Sequence, residues 1–112
     1  MKQFANANKE IAVTVAPGVK RRLLSHGGNL MMAYFTFSEG ASINWHNHPQ
    51  EQASYVLLGE AELWIDGMED PVRLVPGGSY YIPPDVRHRV VAHTEAVFID
   101  VFTPQREDFI VK

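Results

Sequence analysis

The chain has 112 residues, enough for one domain around one core, and its 46% apolar and 21% charged content is ordinary for a globular protein. With a net charge of −3 and no basic stripe, nucleic-acid binding is not expected, and the absence of cysteine excludes disulfides, thiolate metal sites and cysteine nucleophiles. No apolar run approaches the roughly 20 residues of a membrane span. Met1 to Glu10 is polar and lacks the apolar core of a secretory signal, so the cytoplasm is the expected location.

No window sustains a helical period. Short runs rich in Val, Ile, Tyr and Phe recur about every ten residues between Gly, Pro, Asn and Asp, the rhythm of an all-β sandwich or barrel. Strands are predicted at 11–15, 19–25, 30–38, 42–46, 53–58, 61–65, 72–74, 79–82, 88–92 and 96–102. His26-Gly27-Gly28-Asn29 has the glycines of a hairpin turn, and Gly59-Glu60, Asp66-Gly67 and Pro76-Gly77-Gly78 are further turn candidates. Pro83-Pro84-Asp85 is another, with no backbone donor at either proline. Repeats, linkers and low-complexity tracts are absent, so residues 1–112 are expected to form a single domain.

Chemistry concentrates between Gly40 and Gly59. His46 and His48 are two apart, and in a strand side chains two apart share a face, so both imidazoles can reach one ion. Gln52 follows after a Pro-containing bend and offers an amide oxygen; Glu51 is the alternative if the bend runs one residue differently. His88, in a later strand, supplies a third imidazole once the strands fold back. Nitrogen donors suit late divalent metals better than Mg or Ca, and neutral ligands leave the ion its full charge, which favours an anionic substrate. Without a carboxylate the set departs from the two-histidine, one-carboxylate triad of iron oxygenases. His26 and His93 lie in turn-like contexts and are expected to be solvated.

The stretch Ala96-Val97-Phe98-Ile99-Asp100-Val101-Phe102 alternates Phe98, Asp100 and Phe102 on one face with Val97, Ile99 and Val101 on the other, as in a strand buried on two sides. Asp100 is out of place there, because an unpaired buried carboxylate is costly. It reads either as a general acid or base at a site, or as a structural aspartate paired with Arg21, Arg22 or Arg73. Arg106, just beyond that strand, reads either as a guanidinium within reach of the barrel mouth that binds a carboxylate or, more simply, as a solvated arginine beside Glu107 and Asp108. Phe102 reads as either a ring-packing wall or core. Trp45, Trp64, Tyr80 and Tyr81 are expected in the core or an interface.

The residues resemble the cupin superfamily. Its first motif, G-x5-H-x-H-x3,4-E-x6-G, is matched over 40–59 by Gly40, His46, His48 and Gly59, with Gln52 in place of Glu. Its second, G-x5-P-x-G-x2-H-x3-N, is matched over 77–92 by Gly77, Pro83 and His88, with Asp85 for the glycine and Ala92 for the asparagine. The resemblance implies a small jelly-roll barrel. Within cupins the chain is similar to the small KdgF-type proteins of pectin and alginate breakdown, through H-N-H-P-Q-E-Q and I-D-V-F-T-P followed by an arginine. That likeness implies conversion of 4,5-unsaturated monouronates to the linear keto form, a divalent transition metal (Zn, Ni, Fe or Mn) on His46, His48, Gln52 and His88, and Asp100, Phe102 and Arg106 beside the acidic sugar. A non-catalytic sugar- or effector-binding cupin and a metal-dependent dioxygenase are the alternatives. Ten short strands leave edges to cover, so a homodimer is expected.

Overall fold

A computed structural model describes residues 1–110. Ten strands follow in chain order: β1 (Val13–Ala16), β2 (Val19–Gly27), β3 (Leu30–Phe37), β4 (Ser42–His46), β5 (Glu51–Leu58), β6 (Ala61–Ile65), β7 (Val72–Leu74), β8 (Ser79–Ile82), β9 (His88–Ala92) and β10 (Ala96–Thr103). All pair antiparallel, in a six-stranded sheet of order β1-β2-β3-β10-β5-β8 and a four-stranded sheet of order β4-β9-β6-β7. The predicted strands match these closely. The largest departures are of two residues: β1 starts at Val13 rather than 11, β2 runs on to Gly27 rather than 25, and β5 starts at Glu51 rather than 53. Two short 3-10 turns, Ala7–Lys9 and Glu107–Phe109, were not predicted, since three residues carry no helical period.

Period-2 alternation supplies the core. Met31, Ala33, Phe35 and Phe37 of β3, with Ala96, Phe98 and Phe102 of β10, pack against Ala61, Leu63, Leu74, Val90 and Ala92 of the smaller sheet. Phe37 and Phe98 meet edge-on with centroids 5.3 Å apart. The outer face of β10 differs from expectation: Val97, Ile99 and Val101 are half-buried rather than covered. They join an apolar outer surface in which Val101 stands between Met32 and Ala53, and Ile99 between Tyr34 and Tyr55.

Two motif positions have clear backbone reasons. Gly59 has φ +84, and a Cβ there would lie 2.1 Å from the Glu95 carbonyl oxygen, so only glycine fits this turn. Asp85, where the cupin motif carries glycine, has φ +64 and is the one non-glycine residue with positive φ among the described residues. Aspartate is among the few side chains that tolerate this region. Its N–H donates to the His48 carbonyl at 2.8 Å, so the turn before β9 steadies the histidine loop.

Candidate metal centre

His46 and His88 are cross-strand partners at the end of the β4–β9 ladder. The register slips between Ile43 and His46, so two residues of β4 oppose one of β9. Without that slip, alternation from Ile43 would turn Trp45 inward. With it, Trp45 is exposed and His46 lines the interior cavity. Shared strand alternation therefore does not explain the pairing of His46 with His48. β4 ends at His46, and His48 lies in the connection to β5, where its Nδ1 donates to the Gln50 carbonyl at 2.9 Å.

All three histidines are oriented in one way. Nδ1 of His46 is 2.8 Å from the Asn44 carbonyl, and Nδ1 of His88 is 2.9 Å from the Val86 carbonyl. A carbonyl only accepts, so each Nδ1 carries the proton and each Nε2 keeps a lone pair. The potential ligand atoms of His46, His48 and His88 lie within 4.8 Å of one another, and Nε2 of His88 is buried with no hydrogen-bond partner. Gln52, the first inward position of β5, donates from Nε2 to the Ser54 hydroxyl at 2.9 Å, which turns its Oε1 toward Nε2 of His48 at 3.0 Å. Two acceptors facing each other, beside an orphaned third, are an arrangement that a shared cation satisfies. Glu51 is excluded from it: its side chain is on the outer face, accepting from the Tyr81 hydroxyl at 3.3 Å.

Burial lowers the proton affinity of all three imidazoles. It is the largest cause for His46 and His48, to which the positive field of Arg106 adds, and it takes His88 down to about 4. They are therefore neutral, as metal ligands must be, at physiological pH. Three imidazoles and an amide fit a late divalent ion and cancel none of its charge.

The same cavity, about 210 Å³, is lined by His46, Gln52, His88, Asp100, Phe102 and Arg106. Asp100 is 8% exposed, its Oδ1 has no partner, and none of the ion pairs among the described residues involves it. The structural alternative, a partnership with Arg21, Arg22 or Arg73, is thus not realised; Arg73 pairs with Glu60 on the surface. Burial, eased by Ser54 and by the Arg106 charge, raises the Asp100 carboxyl to about 7. Across the ladder stand Ser54 and then Tyr80, forming one polar row inside the barrel. Burial first, and the charge of Asp100 second, keep the Tyr80 phenol neutral. Alternation with Ile82 in β8 would have found Tyr80 facing inward, although not its polar neighbours.

Arg106 is not a solvated tail residue. Its side chain is 16% exposed, forms a two-pronged pair with Asp108 at 3.1 and 2.9 Å, and lies 5.3 Å from the Phe102 centroid and 4.3 Å from that of Phe109. The segment carrying it is tied down by Gln105, whose backbone carbonyl accepts from Gln50 at 3.1 Å. The side chain of Gln105 bonds His26 at 2.7 Å and the Gly28 carbonyl at 2.7 Å. His26 is accordingly half-buried rather than solvated, whereas His93 is exposed beside Glu62 at 3.0 Å.

Comparison with known proteins agrees with the geometry. The cupin domain model matches residues 33–102. The pectin degradation protein KdgF of Dickeya dadantii (strain 3937) is 34% identical over 95 residues, covering 83% of this chain and 84% of that protein. The structure of KdgF from Halomonas sp. superposes with a TM-score of 0.88 at 30% identity, covering 96% of this chain and 99% of that one. An RmlC-like cupin from Shewanella frigidimarina NCIMB 400 superposes with a TM-score of 0.90 at 34% identity, over 98% and 97% of the two chains. With the histidine cluster at one end of a two-sheet barrel and these likenesses along nearly the whole chain, the protein belongs to the cupin superfamily and is a KdgF-like cupin.

Proposed function

We propose that this protein is a metal-dependent enzyme that converts 4,5-unsaturated monouronates, the acidic sugars left by pectin and alginate cleavage, to their linear keto form. The reading is supported above all by Asp100, a carboxyl raised to about 7 in the cavity that the histidine cluster and Arg106 share. KdgF relatives that span most of the chain point to the same substrate class.

Chemically the conversion is an isomerisation. The anomeric hydroxyl gives up a proton, the bond from C1 to the ring oxygen breaks, and C1 becomes an aldehyde. The ring oxygen, now an enol on C5, becomes the ketone as C4 gains a proton, so nothing is oxidised and no water is consumed. A divalent ion held by His46, His48, Gln52 and His88 supplies Lewis-acid polarisation of substrate oxygens. Asp100, half-protonated near neutrality, moves the proton to C4. Arg106 holds the uronate carboxylate, and Phe102 walls the sugar ring. The neutral ligand set disfavours dioxygenase chemistry, and no oxygen uptake is expected with Fe(II).

Asp100→Asn should abolish the loss of alkene absorbance on unsaturated galacturonate while metal content stays at the parent level. Unchanged turnover in that variant removes Asp100 from the mechanism, and binding without turnover by the parent protein favours a sugar-binding role instead.

The protein is also proposed to act as a homodimer. The expectation rested on uncovered strand edges, but the stronger support is the apolar outer face of the large sheet, where Met32 and Tyr55 are 37% and 47% exposed.

A further inference from the structure

Arg21 occupies a place that strand alternation reserves for the core. β2 turns Val19, Arg21 and Leu23 toward the smaller sheet; Val19 is fully buried and Leu23 packs on the core cluster. Inward charges are common on edge strands, where they discourage aggregation, but β2 lies between β1 and β3. A charged side chain at an interior position of this kind breaks a local rule, as Asp100 does, and such breaks concentrate at functional sites.

The head of Arg21 is held in place and chemically unspent. Its guanidinium lies 4.0 Å from the centroid of Phe109, the same ring that underlies Arg106 at 4.3 Å. Phe109 is itself fixed, packing edge-on against Phe35 at 6.2 Å and Phe102 at 5.5 Å. The turn at Glu107–Phe109 thus sets two guanidiniums beside one cavity, and both line it. Asp108 engages Arg106 at both oxygens. Arg21 takes part in none of the ion pairs or side-chain hydrogen bonds of the described residues, and the charge of Asp108 reaches it only from farther away. The Arg21 guanidinium is therefore a half-buried cation at the cavity with no polar partner among the described residues, and its fork of N–H donors is free for an anion.

We propose that Arg21 is a second anion-binding group of this cavity and grips the acid group of the sugar from the β2 side. This rests on the acidic-sugar reading above, and it assigns part of the substrate recognition to a strand far in sequence from the histidines and from Arg106.

The test compares Arg21→Met, which keeps apolar cover on Phe109, with Arg21→Lys, which keeps the charge. Two readouts are taken: conversion of unsaturated galacturonate, and calorimetric binding of galacturonate against uncharged galactose to the metal-loaded protein. Arg21→Met should raise KM and weaken galacturonate binding by about tenfold or more, the usual weight of a charged hydrogen bond. It should leave kcat, metal content and galactose binding near the parent values, and Arg21→Lys should recover part of the affinity. Parent-like KM and galacturonate affinity in Arg21→Met overturn the assignment, as does an equal loss for galactose, which marks Arg21 as structural. If Arg21→Met does not fold, Arg21→Gln takes its place, and a parent-like KM and galacturonate affinity in that uncharged variant overturn the assignment equally. Failure of the underlying reading looks different: the parent protein itself neither converts nor binds the uronate, and both claims fall together.

Discussion

Asp100 is the residue on which local energetics and proposed chemistry meet. Its carboxyl moves from 3.8 to about 7 because burial penalises the charge and no cation pairs with it closely. Between those values the folded chain holds a proton that the unfolded chain has released. The stabilisation is therefore complete below about pH 4, declines as pH rises and is gone above about 7. Three units correspond to about 4 kcal/mol at most. The histidines, whose affinities are lowered by folding, pull the opposite way, so the measurable quantity is a difference. In metal-free protein, Asp100→Asn should gain stability over the parent progressively from pH 4.5 to 8. Urea denaturation across that range checks it, and parallel pH profiles for parent and variant would show that the carboxyl titrates normally.

Among elements, the turns set the site as much as the strands do. The slip in the β4–β9 ladder turns His46 inward, the turn at Asp85 holds His48 through its carbonyl, and Gly59 lets β5 turn back beneath the backbone of Glu95 and Ala96. Two glycines of the first motif separate conformation from crowding. Gly40 has φ +80 with open space where a Cβ would go, whereas a Cβ on Gly59 would meet backbone atoms at 2.1 and 2.7 Å. Gly40→Ala should cost about 1–2 kcal/mol, the price of left-handed backbone alone. Gly59→Ala should cost well beyond that, because the β5–β6 turn must move as well. Thermal melting of the two variants measures the gap, and equal losses would show that the close approach at Gly59 relaxes freely.

At the scale of the molecule, one sheet carries the site on its inner face and an apolar band on its outer face. The inner face of the large sheet carries Arg21, Asp100, Gln52 and Tyr80 into the cavity, while its outer face presents an uncharged row from Met32 through Val101 and Ala53 to Tyr81. The proposed dimer buries that row. Met32→Glu should convert a species of twice the chain mass to a monomer in light scattering, with metal binding retained because the ligands lie on the opposite face. A monomeric parent would end the dimer proposal. No helix is long and apolar enough to cross a membrane among the described residues.

The sequence alone determined the strand rhythm, because alternation and turn residues are local signals that act within a few positions of each other. It also carried the donor set, since imidazole at His46, His48 and His88 with an amide at Gln52 states its chemistry in any context. Other features depended on which backbones meet. The slipped register that turns His46 rather than Trp45 inward is a relation between β4 and β9, and the exclusion of Glu51 follows from the phase of β5. Arg106 looked solvated because Phe109 and Gln105, which hold it, act through contacts with β2, β3 and β10. Arg21 could have been suspected from V-K-R-R-L alternation, but the ring beneath it arrives from the other end of the chain. Side-chain identity is a property of one position, whereas a site's field and shape belong to positions that only tertiary packing brings together.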